Sequence, residues 1–240
     1  MPKREKLTMS FDPLVIDDLG AKLYSTLPPI ISELIANGYD ACAKKVWVEL
    51  NGSSEDKTIT VIDDGIGMSF NEVDRKYLKI GRKRINEKDQ KSSKCSRPPI
   101  GKKGLGKLAF FGIAKKAVIE TIKNGEKTTF EMDWEKIEAT PDNKPYEPTF
   151  SEEQTLGKNG TKIILSKIDR KSKFDLESLK RSISNYFIFD KDFKVFIKDD
   201  DIADFQEIDN EIRYQQGDRG EDFSWPFPKE AIKLGLKEKF

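Results

Sequence analysis

Two short alternating runs do most to limit the fold. Residues 45–51 (Lys-Val-Trp-Val-Glu-Leu-Asn) and 57–63 (Lys-Thr-Ile-Thr-Val-Ile-Asp) change between polar and apolar at most steps. Asn51-Gly52-Ser53-Ser54 lies between them and carries turn chemistry. A side-chain period of two across a Gly-containing turn predicts an antiparallel hairpin. A longer helix precedes it. Pro28-Pro29 opens that helix, because proline is tolerated in a first turn, and Ile30, Ile31, Leu34, Ile35, Ala41 and Cys42 supply its apolar positions.

The rest of the chain continues the mixture. Residues 8–12 read as a short edge strand, 13–23 as a short helix and 70–80 as a helix. Residues 82–103 are basic, polar and broken by Pro98-Pro99. They read as a mobile loop, and a loop of that length usually has a role such as covering an active site. Residues 104–114 look helical. Residues 116–122 and 127–134 form a strand pair around Asn124-Gly125, and 138–158 a Pro-rich polar connection. Residues 160–166 form another strand, 175–188 an amphipathic helix, and Phe193–Lys198 an apolar strand. An acidic tail follows from 199, with Trp225-Pro226-Phe227-Pro228 near its end. No internal repeat is visible.

Composition excludes several chemistries. The 240 residues contain no histidine, so a His-based triad, a His-ligated zinc site and phosphorylation of an internal His are ruled out. Any general base must be a carboxylate, Lys, Tyr or Cys. Two cysteines, Cys42 in an apolar helix and Cys95 in a basic loop, argue against a disulfide framework or a thiolate metal site. Apolar residues make up 36% and charged residues 35%, and no run approaches the roughly 18 apolar residues of a membrane span. The charged N-terminus lacks the apolar run of a signal peptide, so a cytoplasmic location and no membrane partner are expected. The net charge of +1 is uninformative, but basic residues dominate from Arg75 to Lys107 and acids from Asp199 to Glu211. Such asymmetry marks either a phosphate-facing surface or two solvated faces.

Four segments carry candidate chemistry. Glu33, Asn37 and Asp40 are spaced four and seven apart, so they share one face of the helix, opposite its apolar stripe. Asn37 offers a neutral oxygen to a hard cation, and Glu33 is placed to orient or deprotonate a water. An ordinary surface helix would show the same residues. The strand 57–63 runs into Asp63-Asp64-Gly65-Ile66-Gly67-Met68, where glycines let a ligand approach the backbone and a carboxylate can accept from an exocyclic amine. A plain Asp-Gly turn is the alternative. Gly101-Lys-Lys-Gly104-Leu105-Gly106-Lys107 enters a helix, and its amides suit phosphate oxygens. It is neither a Walker A loop, since Leu108 follows Lys107, nor a dinucleotide fingerprint, since no strand leads into it. Thr161, entering the strand 160–166, is either a β-former or a hydroxyl bridging a carboxylate and a base edge.

In this order the four segments resemble the GHKL ATPases, named for gyrase B, the heat-shock chaperone of about ninety kilodaltons, histidine kinases and MutL. The resemblance covers about residues 9–168. The family's E-x-x-x-N-x-x-D-A is matched by Glu33, Asn37, Asp40 and Ala41. Its D-x-G-x-G is matched by Asp63, Gly65 and Gly67. The resemblance implies that Glu33 is the general base, Asn37 the Mg²⁺ ligand, and Asp40 a residue lining the pocket near the base. Asp63 would accept from the adenine amine, with Gly67 shaping the pocket and Met68 packing on the ring. Gly101, Gly104 and Gly106, with the amides of Leu105 and Lys107, would hold the phosphates. Thr161 would support Asp63, and the basic segment would be the ATP lid. Asp64 stands where relatives carry other residues and receives no role.

The fold implied is α+β, a two-layer α/β sandwich of the Bergerat type with a mixed, mainly antiparallel sheet covered by helices. Residues 1–169 would form the ATP-binding domain with its lid at 82–103. Residues 170–240 would be a helix–strand extension and acidic tail. That is too short for a full transducer domain, which suggests the start of a longer protein. The function implied is slow, Mg²⁺-dependent ATP hydrolysis driving lid closure and ATP-linked dimerisation. The client, protein or nucleic acid, stays open. The branch looks closer to microrchidia-like or bacterial defence ATPases. A non-hydrolysing nucleotide switch is the alternative, and a kinase of the histidine-kinase branch a more distant one.

Overall fold

The computed structural model describes residues 6–9, 26–52, 56–79, 95, 97, 100, 106–141, 144–170, 172–187, 192–210 and 212. Helix α1 spans Leu27–Asp40, with its two prolines in the first turn and Leu27, Ile30, Ile31, Leu34 and Ile35 buried. Its end is a Schellman turn. Ala43 N–H donates to the Gly38 carbonyl at 3.0 Å and Cys42 N–H to the Tyr39 carbonyl at 3.0 Å. The turning residue, Cys42, has φ +63°.

The hairpin forms as the alternation requires. Strand β1 (Lys45–Asn51) pairs antiparallel with β2 (Thr58–Asp63), with Val48 opposite Val61 and Leu50 opposite Ile59. Ser69 and Glu72 then close a reciprocal capping box at the start of a short helix, α2 (Phe70–Glu72), which widens into a π-helical turn over Val73–Tyr77. A 3₁₀ helix, Gly106–Gly112, lies within the helical segment expected at 104–114. Strands β3 (Ala114–Lys123) and β4 (Glu126–Asp133) follow, with Asn124 and Gly125 both at positive φ in the turn between them. A short helix, α3 (Trp134–Glu138), is capped by Asp133.

The polar connection 138–158 holds one more strand, β5 (Phe150–Gln154). Its residues are largely exposed, and as an edge strand it needs only one paired side, so it lacks the apolar alternation of a buried strand. Strand β6 (Gly160–Ile168), helix α4 (Leu176–Tyr186), β7 (Lys194–Asp199) and β8 (Gln206–Ile208) complete the described elements. Of the expected strand at 8–12 only residues 8 and 9 are described, and Met9 bridges to Tyr146; residues 10–12 lie outside the described residues. The expected helix at 13–23 lies outside the described residues.

All eight strands join one sheet in the order β5-β4-β3-β6-β2-β1-β7-β8. Every pairing is antiparallel except β1 with β7. The helix–strand segment after 170 therefore extends the same sheet, with α4 packed beside α1. The inward face of the sheet is layered in register. Leu50, Ile59, Leu165, Ala117 and Met132 form one buried row, and Val48, Val61, Ile163, Ile119 and Phe130 the next. The third row changes character. Val46, Asp63, Thr161, Thr121 and Thr128 lie side by side across β1, β2, β6, β3 and β4.

Thr121 is fully buried at the centre of that third row. Its Oγ1 accepts the Met68 N–H at 2.8 Å and lies 3.3 Å from both Thr161 Oγ1 and the Gly160 carbonyl. Thr121→Val keeps the shape and strands the Met68 amide, at a cost of about 1–3 kcal/mol. Urea denaturation should show that loss, and a midpoint equal to that of the wild type would contradict it.

Candidate functional site

The site assembles around the C-terminal half of α1. Along this helix Glu33, Asn37 and Asp40 are partly exposed, whereas Leu34, Ile35, Ala36 and Gly38 between them are buried. The helical period thus places the two acids and the carboxamide on one open strip. Partial burial raises the pKa of Glu33 above the usual glutamate value, and the Asp40 carboxylate adds to the rise. Such a carboxylate is more basic than one in bulk water and is suited to taking a proton. Asp40 also acts locally, since its Oδ1 accepts the Ile100 N–H at 2.8 Å.

Asp63 ends β2 directly beneath the helix. An added Cβ at Gly38 would lie 2.9 Å from Val46 Cγ2 and 3.1 Å from Asp63 Cβ, so only glycine allows α1 to approach this closely. Burial pushes the Asp63 carboxyl up from 3.8 to about 6. The amides of Gly65 and Thr161 counter that shift by donating to it, with Gly65 N–H 2.8 Å from Oδ1, and the neighbouring Asp64 adds slightly to it. A desolvated carboxylate held by so few donors keeps acceptor capacity for a ligand.

The loop after Asp63 is pinned to the end of α1. Ile66 N–H donates to the Ala41 carbonyl at 2.9 Å. Asp64 Oδ1 accepts from the Lys44 and Lys45 amides at 2.7 and 2.8 Å, so this carboxylate organises the turn into β1. Gly67 has φ +62°, and an added Cβ would stand 1.9 Å from the Ile122 carbonyl oxygen. The backbone there passes against β3 with no room for a side chain. Met68 follows, half-buried and packed on the core. Thr161 lies opposite Asp63 on one side and Thr121 on the other.

The glycine-rich segment is only partly described. Gly106 and Lys107 open the 3₁₀ helix, while Gly101, Gly104 and Leu105 lie outside the described residues. Of the basic loop 82–103, only Cys95, Arg97 and Ile100 are described, and all three meet the end of α1. Arg97 donates to the Ala43 carbonyl at 2.7 Å and to the Asp192 carbonyl, and its guanidinium lies over the rings of Tyr39 and Phe193 at 5.0 and 5.8 Å. Cys95 forms a disulfide with Cys42, with Cα atoms 5.8 Å apart. This corrects the expectation drawn from the cysteine count. The two residues are 53 positions apart and differ in local context, and the return of the loop onto α1 brings them together.

Residues 24–161 match the family described as "Histidine kinase-, DNA gyrase B-, and HSP90-like ATPase". The chain belongs to this GHKL family. The eight-stranded mixed sheet and the few helices among the described residues are consistent with the family's α/β sandwich. ATP binding is the property its members share. Among curated proteins, the "Putative type II restriction enzyme HgiDII" of Herpetosiphon aurantiacus is 32% identical over 67% of this chain and 26% of its own length. The chaperone protein HtpG of Albidiferax ferrireducens is 32% identical over 54% of the chain and 23% of its own length. The HtpG of Fusobacterium nucleatum is 26% identical over 50% and 23%. The chain thus spans about a quarter of the length of these relatives.

Within the GHKL frame, the structure gathers Glu33, Asn37, Asp40, Asp63, Gly67, Met68 and Thr161 around one end of α1 and the third row of the sheet. Four contributors escape a reading of the sequence: Gly38, Asp64, Arg97 and Thr121. Gly38 sits inside the helix motif, where a helix-weakening glycine between Asn37 and Asp40 is a usable signal. Thr121 looks like any strand threonine until its register against Thr161 is known.

The pKa of Asp63 gives a signed prediction. Its raised value means the folded state takes up a proton more readily than the unfolded chain, so this group favours folding below the ordinary aspartate value and loses that contribution as pH rises to about 6. Asp63→Asn should flatten the fall in apo-protein stability between about pH 4 and 6, read from melting temperatures across that range. An unchanged slope would contradict the burial.

Proposed function

We propose that the chain binds ATP with Mg²⁺ and hydrolyses it slowly, as the nucleotide-driven module of a larger machine. Asp63 is the observation that carries this reading. It is a desolvated carboxylate whose donors are amides of its own loop and of Thr161, set beside close-packed glycines and a hydroxyl row. Such a site complements an exocyclic amine, and Asp63 accepts from the adenine amino group while Met68 packs on the ring. Thr161, braced by Thr121, supports Asp63. Gly67 shapes the pocket by letting the loop lie directly against β3.

Asn37 fits Mg²⁺. It is a half-exposed carboxamide one turn beyond Glu33, and among the described residues no group of three acidic or sulfur ligands forms a protein cage. One neutral oxygen from the protein is the donor set of an ion that keeps waters and phosphates in its shell. When bound, Mg²⁺ neutralises phosphate charge. Glu33 orients and deprotonates the attacking water, and its raised basicity supports that role. Asp40 lines the pocket. Gly101, Gly104, Leu105, Gly106 and Lys107 hold the phosphates through their amides, and residues 82–103 form the lid.

Residues 1–169 carry the nucleotide site in this reading, and 170–240, whose β7 and β8 extend the same sheet, lead toward the rest of the machine. ATP draws two copies together and hydrolysis releases them. No helix among the described residues is long and apolar enough to cross a membrane, and a cytoplasmic setting is part of the proposal. The similarity to a protein named as a restriction enzyme supports a restriction-type system as the client.

Glu33→Gln should lower ATP turnover by roughly 10²–10⁴-fold while ATP affinity changes little. Equal turnover in the two proteins would remove Glu33 from the role of base. Asp63→Ala should weaken ATP binding by about tenfold or more, the worth of one hydrogen bond to a charged group. Calorimetric titration with a non-hydrolysable ATP analogue reads this directly, and unaltered affinity would count against the whole adenine site.

A further inference from the structure

The described end of the basic loop makes three separate attachments to the last turn of α1. The Cys95 sulfur is bonded to that of Cys42, Arg97 donates to the Ala43 carbonyl and covers Tyr39, and the Ile100 amide donates to Asp40. One attachment is covalent, and it sits at an unusual backbone position. Cys42 occupies the left-handed turn residue of the Schellman motif at φ +63°, a place where glycine is the usual occupant and an L side chain is strained. The residue before it, Ala41, offers the carbonyl that holds Ile66 of the Asp63 loop. Both cysteines are partly exposed, within reach of a small thiol.

We propose that Cys42–Cys95 is a reversible thiol–disulfide modification site whose oxidation strengthens nucleotide binding. The inference rests on the ATP-site reading given above. In the oxidised protein the disulfide fixes the turn whose Asp40 lines the proposed pocket and whose Ala41 carbonyl holds Ile66 of the Asp63 loop, so both are in place before nucleotide arrives. In the reduced protein that ordering is required at binding and weakens it. The exchange is balanced by a low-molecular-weight thiol. Its thiolate attacks one sulfur of the disulfide, forms a mixed disulfide and releases the other cysteine as a thiolate. A second small thiol then attacks the mixed disulfide, frees the remaining cysteine and leaves as the small-molecule disulfide, having supplied two electrons in all. The reverse uses a small-molecule disulfide as the oxidant. In a reducing compartment a disulfide of this kind is transient, which is the behaviour of a sensor.

The test compares the full chain equilibrated with glutathione disulfide and with a phosphine reductant. Thiol content is counted by maleimide–polyethylene glycol gel shift, and affinity for a non-hydrolysable ATP analogue is measured in parallel. The expected result is no free thiol and tighter binding in the oxidised form, by about fivefold or more, the lower range of ordinary coupling between sites. Cys95→Ser and Cys42→Gly should bind with the reduced-form affinity in both buffers, and glycine suits the backbone at 42. By reciprocity, saturating nucleotide should make the disulfide harder to reduce by the same factor, about 20 mV for fivefold in a two-electron couple. Equal affinities with the disulfide confirmed would overturn the proposal while leaving the ATP reading intact. Two free thiols in glutathione disulfide would overturn it as well. Absence of nucleotide binding in both forms would overturn the ATP reading and this coupling together.

Discussion

The alignment of Asp63 with Thr161 and Thr121 across three strands is the constraint on which the site depends. It is a matter of register. A slip of one residue in β2 against β6 would turn every side chain to the other face and remove the carboxylate from beneath α1. Two apolar rows, anchored by Leu50, Ile59 and Leu165 and by Val48, Val61 and Ile163, resist such a slip because it would expose them. The hydrophobic part of the sheet therefore fixes the position of its polar row. Thr121 then transmits that position to the loop by holding the Met68 amide.

Burial works against stability at the same place. Asp63 is desolvated enough to raise its pKa to about 6, and Glu33 is raised as well. Neither group contributes to holding the apo fold as a paired carboxylate would. Glu72 shows the contrast. Lys123 and Ser69 hydrogen-bond to it and hold it below the usual glutamate value despite its partial burial. The molecule thus contains an acid bonded to a lysine at a structural cap, Glu72, and acids raised by burial beside α1, Glu33 and Asp63. That division is what a binding site requires, since a carboxylate already neutralised by a protein cation has little left to offer a ligand.

Much of this is legible in the sequence, for identifiable reasons. The hairpin 45–63 and the pair 114–133 follow from alternation and Gly-containing turns, both local signals. The strip Glu33–Asn37–Asp40 follows from helical period. Features that depend on long-range register stay hidden: Thr121 gains meaning only beside Thr161, and β5 only as the edge neighbour of β4. Asp64 receives no role from sequence because its partners, the Lys44 and Lys45 amides, are backbone groups that no sequence pattern displays. Arg97 and Cys95 look like parts of a solvated basic loop, because their aromatic and sulfur contacts on α1 lie about fifty positions earlier in the chain.

The last turn of α1 emerges as the point where these parts meet. The carbonyl of Ala41 holds the Asp63 loop through Ile66. The amides of Lys44 and Lys45 hold Asp64, the carbonyl of Ala43 holds Arg97, and Cys42 holds Cys95. Helix termini expose carbonyls that need partners, and here those partners come from two loops that flank the candidate nucleotide site. A rotation or unwinding of this single turn would shift Asp40, the Asp63 loop and the approach to the glycine-rich segment at once. Conversely, anything that stiffens the turn stiffens all three. The Schellman closure with cysteine in the glycine position makes the turn both strained and cross-linked, so tertiary bonds add to its own two backbone hydrogen bonds in setting its conformation. The proposed coupling between nucleotide and loop needs no long pathway through the core, because the shared element is only a few residues long.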